Sequence, residues 1–171
     1  MSDSNLLNKS AVELKKLIQN KKISSLELTE LALKKIDETN HKTKAFLTIT
    51  HDLAINSAKL VDQKIAKGDS VGLLGGVPTS IKDLEPMKGY RTTKGSLFLE
   101  SSISEVDQLG VERIKNEDGI ILGKTNVPEF GASGGTENKL GDDCRNPSSR
   151  LLLRADTSTR RFPCIRRTIS S

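Results

Sequence analysis

"GGVPTSIKDLEPMKGYRTTKGS", residues 75–96, sets one lysine, Lys82, at the end of an apolar run and surrounds it with glycine, proline and threonine. A lysine among apolar residues loses hydration, which favours the neutral amine, and a neutral amine can accept a proton as a general base. The same spacing suits a lysine that runs its stem along apolar surface into water, or one that pairs with the adjacent Asp83. Further along, "GASGG", residues 131–135, has the form G-x-S-x-G, with Ser133 in the place of a nucleophile. A nucleophile elbow needs a sharp strand-to-helix turn at its serine. Here the preceding strand is expected to end near Thr125, and "TENKLGDD" after the loop carries no amphipathic pattern, so the segment reads as a plain glycine-rich loop. His41 and His51 lie in polar surroundings and read as solvated loop or cap histidines. Cys144 and Cys164 have neither C-x-x-C spacing nor a small secreted scaffold around them and read as free thiols. With no Walker A pattern and no G-x-G-x-x-G, a phosphate cradle is unsupported, and neither a metal nor a cofactor is expected.

Such residues act only if regular elements hold them. Ser10-Ala-Val-Glu13 and Ser24-Ser-Leu-Glu27 both have capping-box spacing, each ahead of an amphipathic pattern. They predict two short helices, one with Val12, Leu14, Leu17 and Ile18 on its apolar face and one with Leu26, Leu28, Leu31, Leu33 and Ile36. "AFLTIT", residues 45–50, predicts a strand, and a helix from about Asp52 to Lys67 follows, using Leu53, Ile55, Ala58, Leu60, Val61 and Ile65, with Gly68 as its C-cap. Pro78 pushes the residue before it out of the helical region, so "VPTSIKDL" reads as extended and Lys82 falls at or near a strand end. Val106, Leu109, Val111 and Ile114 predict a helix weakened by Gly110, and "GIILGKT", residues 119–125, a buried strand ended by Asn126-Val-Pro128. Helices alternating with strands at these separations predict a layered α/β arrangement with some parallel pairing.

A chain of 171 residues suits one domain with its own core, and an aromatic content of 3% makes that core aliphatic. No run approaches the roughly 18 apolar residues of a membrane span, and the start lacks the basic and apolar regions of a signal peptide. A soluble, cytoplasmic protein without membrane contact is expected. The net charge of +5 invites a nucleic-acid reading, but the excess is local. Through Cys144, 18 Lys and 2 Arg face 21 acids; from Arg145 on there are 7 Arg, no Lys and one acid, Asp156. No folding force requires lysine to give way to arginine at one point, so the switch looks like a change in coding. Residues 145–171 therefore read as a divergent Arg-rich tail, weakly ordered because its apolar cluster, residues 151–153, is short.

The motifs "LGGVPTSIKD", "RTTKGS", "GIILGKTNVPEFGASGGTEN" and "RNP", in this order and at these separations, resemble the N-terminal part of the amidase signature family, over roughly residues 10–147. The flavour is similar to bacterial-type amidases and acylamidases, with tRNA-dependent amidotransferase A subunits as a related branch. The resemblance implies an α/β/α fold around a large mixed sheet, of which residues 1–144 would form an incomplete N-terminal part with an exposed sheet edge. It implies hydrolysis of carboxamide C–N bonds by a Ser, cis-Ser, Lys triad. Lys82 then corresponds to the base that relays a proton through the cis serine to the nucleophile, its ammonium set inside so that it can be neutral. Ser133, Gly134 and Gly135 correspond to the loop lining the pocket for a small-molecule amide substrate.

Family members continue after "RNP" into a Gly-Gly-Ser-Ser-Gly-Gly segment carrying the cis serine, then into a strand and loop carrying the nucleophile. Here "SSRLLLRADTSTRRFPCIRRTISS" follows, without a glycine, and Ser148 and Ser149 lack the flanking glycines of that segment. The favoured reading is an amidase chain whose frame is disrupted near Arg145, keeping the lysine but not hydrolysing amides. One alternative is a minimal hydrolase that brings Ser133 and Lys82 into contact. Another is a non-enzymatic binding protein whose Arg150, Arg154, Arg160, Arg161, Arg166 and Arg167 neutralise phosphates, contacting nucleic acid without sequence specificity.

Overall fold

The computed structural model describes residues 6–145. The expectations for Ser148, Ser149, Cys164 and the arginines from Arg150 onward lie outside the described residues. Both capping boxes form. Ser10 Oγ accepts from Glu13 N while the Glu13 carboxylate accepts from Ser10 N at 2.8 Å, starting α1, Ala11–Gln19. Ser24 and Glu27 repeat the exchange and start α2, Ser25–Thr43. Each box satisfies amide donors that the first helical turn cannot. The second helix is long rather than short. Its apolar stripe ends at Ile36, but no breaker follows, and the helix runs on until Lys44 takes a left-handed φ of 52°.

β1, Phe46–Ile49, leads into α3, His51–Lys67, which ends at Gly68 with φ 82° as expected of a glycine C-cap. β2, Pro78–Lys82, is followed by a long loop, then by α4, Leu109–Asn116, and β3, Ile120–Thr125. The sheet order is β1-β3-β2, with β3 antiparallel to β1 and parallel to β2. This is the mixed α/β layering the sequence predicts, and among the described residues β1 and β2 are both edge strands. Helices α2 and α3 cover one face, where Leu33, Ile36, Val61, Ile120 and Leu122 form the main core. On the other face Ile81, Met87, Val111 and Ile121 pack together under α4.

Four residues expected on apolar helix faces are exposed: Val12, Leu60, Val106 and Leu109. Val12 sits about 200° around α1 from Leu14, which with Ile18 faces the core, and Leu60 is turned similarly from Ala58 on α3. Helix α4 begins only at Leu109, capped by Gln108, so Val106 precedes it and Leu109 occupies its open first turn.

One irregularity matters for the chemistry. Thr79 pairs with Ile121, but the next pair is Ile81 with Lys124, so two residues of β2 oppose three of β3. Such a bulge interrupts the alternation of side chains. Ile121 faces the Ile81 and Met87 core; strict alternation would return that face to Gly123, and the bulge gives it to Lys124 instead. Gly123 itself lies under β1, where an added Cβ would stand 2.4 Å from the Thr48 carbonyl oxygen.

Candidate functional site

Lys82 closes β2, its backbone in register with Thr125 at the end of β3. The two strands are parallel, so their following loops leave from the same end of the sheet, the end at which open α/β sheets bind ligands. Lys82 is half-buried, and among the described residues its Nζ has neither an ion-pair nor a hydrogen-bond partner. Lys82 is thus partly open to water in this chain, and the lysine that is fully buried is Lys124, at 0% exposure. Among the described residues Lys82 ends an edge strand, whereas Lys124 belongs to the central strand.

A charge without water needs partners, and Lys124 has them. Its Nζ lies 2.9 Å from Asp83 Oδ1, both side chains at 0% exposure, and it donates a hydrogen bond to Thr92 Oγ1. The other oxygen of Asp83 accepts from Thr93 N at 3.0 Å and from the Thr93 hydroxyl. Thr92 Oγ1 accepts a second bond, from Ser104 Oγ at 2.9 Å. The Asp83 backbone is tied as well: its N–H donates to Thr125 O at 3.1 Å, and its carbonyl accepts from Lys94 N at 3.0 Å. Burial pushes the Lys124 amine below the ordinary lysine range, and the charge and hydrogen bond of Asp83 work against that shift. The pairing of Asp83 with Lys82 allowed by the sequence does not occur. Neighbouring residues on a strand point to opposite faces, and the carboxylate is committed to Lys124 and Thr93.

Ser133 and Gly134 are exposed and Gly135 half-buried, in the loop that follows the turn Glu129–Gly131. Ser133 Oγ accepts from Gly135 N at 3.1 Å, a local turn bond. β3 ends at Thr125 as expected, and among the described residues no helix follows Ser133, so the strand-to-helix context of an elbow is absent. No hydrogen bond joins Ser133 to Lys82 among the described residues. The loop is nevertheless anchored on both flanks. Upstream, Phe130 N donates to Lys94 O at 2.7 Å and Ser96 Oγ to Glu129 Oε1 at 2.6 Å. Downstream, Asn138 Nδ2 donates to Val127 O at 2.7 Å and also to Asn126.

Local sequence does not distinguish the buried pair, because "GIILGK" presents Lys124 much as "VPTSIK" presents Lys82. The available signal was an acid, Asp83, directly after the neighbouring parallel strand, and it becomes informative only with the bulged register. The remaining candidates are dispersed. His51 Nε2 pairs with Asp37 at 3.0 Å on the surface, His41 is exposed near the end of α2, and Cys144 is buried. Among the described residues no group of three or more His, Cys, Asp or Glu side chains could hold a metal, and no helix is long and apolar enough to cross a membrane.

Comparison with known proteins places these features in context. The family model described as Amidase matches residues 27–152. A glutamyl-tRNA(Gln) amidotransferase subunit from Clostridium botulinum (strain Alaska E43 / Type E3) is 41% identical over 140 residues, 82% of this chain and 29% of that protein. Among solved structures, a bacterial aryl acylamidase of the amidase signature enzymes superposes with TM-score 0.76 at 32% identity, over 82% of this chain and 30% of that one. A chain from a vestigial complex related to the origins of an s-triazine catabolic enzyme gives TM-score 0.80 at 29% identity, over 82% of this chain and 31% of that one. The chain thus spans about three tenths of the length of the proteins it matches.

Proposed function

The chain belongs to the amidase family, and from that premise we propose that Lys82 is the base of an amide-hydrolysing site, with Ser133, Gly134 and Gly135 in its substrate loop. We propose further that the 171-residue polypeptide carries only the lysine side of that site and does not hydrolyse amides by itself. The observation that carries the reading is the contrast between two neighbouring ionisable groups. A proton acceptor must not be held as one half of an ion pair, and the carboxylate nearest to Lys82 in the chain, Asp83, is taken up by Lys124 and Thr93 on the opposite strand face. Lys82 is left unpartnered among the described residues and partly buried, at the end of the sheet from which the 131–135 loop also emerges.

Hydrolysis requires more than a base. A nucleophile and oxyanion donors must stand within hydrogen-bond reach of the reacting carbonyl, and losing the nucleophile of such a unit removes nearly all of its rate. The only hydroxyl in the proposed substrate loop before Thr136 is that of Ser133, already engaged within its own turn. The Gly-Gly-Ser-Ser-Gly-Gly run that family resemblance calls for is not among the 171 residues. The alternative of nucleic-acid contact rests on arginines outside the described residues; within them the charge is balanced. The test is incubation of the purified chain with an aryl acylamide. No arylamine release above that of a Lys82→Ala control is expected, and Lys82-dependent turnover would contradict the inactivity.

A further inference from the structure

We propose that Lys124 is a positioning residue, which through Asp83 and Thr92 locks the end of the Lys82 strand to the loop that carries Ser133, Gly134 and Gly135. The inference rests on the reading of those residues as one site, but its test needs no catalysis. Lys124 reaches two separate chain segments from the central strand. Through Asp83 it holds the residue next to Lys82, whose backbone is already fixed to Thr125 and Lys94. Through Thr92 Oγ1 it holds the start of the 92–96 segment.

That segment is in turn the floor on which the second loop rests. Lys94 O accepts from Phe130 N, and Ser96 Oγ donates to Glu129. Gly95 is so close to the chain beyond β3 that an added Cβ would stand 2.7 Å from Val127 O. Leu84, immediately after Asp83, makes a second bridge, because a Cβ on Gly131 would lie 3.0 Å from its Cδ1. The path from Lys82 to the 131–135 loop is therefore a continuous run of hydrogen bonds and close packing, buried at Lys124, Asp83, Thr92 and Thr93 and more exposed toward Lys94, Glu129 and Phe130. Its centre is a charge pair far from solvent, where hydrogen bonds are strong and loss of one is costly.

Replacing Lys124 removes a buried charge and risks the whole fold, so the cleaner perturbation is the hydroxyl it donates to. In the full chain, Thr92→Val removes that acceptor and leaves the Lys124–Asp83 pair, while Thr92→Ser restores the hydroxyl. Amide hydrogen exchange is followed residue by residue by NMR. Thr92→Val is expected to accelerate exchange about 10- to 100-fold at Lys94, Ser96, Phe130, Gly131 and Ala132, leaving α3 within about twofold and Thr92→Ser close to the parent. Unchanged exchange at Phe130, Gly131 and Ala132 would overturn the coupling. So would an equal loss of protection in α3, or unfolding of the whole chain, because the hydroxyl would then be a general stability element. Failure of Lys82 to act as a base would leave these exchange rates unaffected, so the two ideas fail separately.

Discussion

Methionine in place of Lys124 keeps an unbranched stem in the core and removes the ammonium with its hydrogen bonds. Both members of the Lys124–Asp83 pair are at 0% exposure, so the change leaves a carboxylate buried without its counter-charge. Breaking a buried pair from one side costs about 3–5 kcal/mol. Lys82→Met is the paired control: that side chain is half-buried and unpartnered among the described residues, and its loss is expected to stay within about 0.5 kcal/mol. Urea unfolding of the full chain should be read by far-UV circular dichroism, since the sequence has no tryptophan and one tyrosine. With a slope of about 2 kcal/mol/M, Lys124→Met should lower the midpoint by about 1.5–2.5 M, or abolish the transition, whereas Lys82→Met should move it by no more than about 0.3 M. The neutral double variant Lys124→Met with Asp83→Asn should recover at least half of the loss, because no charge then remains buried. A Lys124→Met midpoint within about 0.3 M of the parent would refute the reasoning, as would an equally large effect of Lys82→Met.

Two further outcomes follow from packing and charge. Gly123→Ala sets a Cβ against the Thr48 carbonyl at 2.4 Å and should cost about 1–3 kcal/mol by prising β1 from β3, seen as a lowered thermal midpoint. Burial raises the Asp107 carboxyl, but the hydrogen bonds and charge of Lys115 and the Lys88 amide outweigh it and hold it below its ordinary 3.8. A depressed carboxyl contributes its full stability above the unfolded value and loses it as pH falls through the folded one, so Asp107→Asn should flatten the acid limb of a midpoint-versus-pH curve below about pH 4.

Much of the architecture is legible from local chemistry. The capping boxes at Ser10 and Ser24, the glycine cap at Gly68 and the strand ends at Lys82 and Thr125 are set by nearest-neighbour rules, and they appear in the structure at the positions those rules give. Helix faces were less legible. Val12 and Leu60 are apolar and nearly in phase, and which of several neighbours turns inward depends on what the helix packs against. The buried lysine was least legible of all. Two lysines end two apolar runs, and what separates them is that one run is central and the other an edge, together with a bulge that shifts β3 by one residue. These are properties of pairing between distant segments, which no window along the chain contains.

The role of Lys82 is tested most directly by supplying what the proposed site lacks. Residues 1–145 would be continued by the part of the bacterial aryl acylamidase that follows its matched segment, the two proteins being 32% identical where they align. The measurement is the rate of aryl acylamide hydrolysis by this chimera and by its Lys82→Ala variant, beside the unextended 171-residue chain. The chimera is expected to turn over substrate, the variant to lose roughly 10⁴- to 10⁶-fold, as when one member of a catalytic unit is removed, and the unextended chain to be inactive. A Lys82→Ala chimera that keeps its rate within about tenfold would show that the base lies elsewhere and contradict the account.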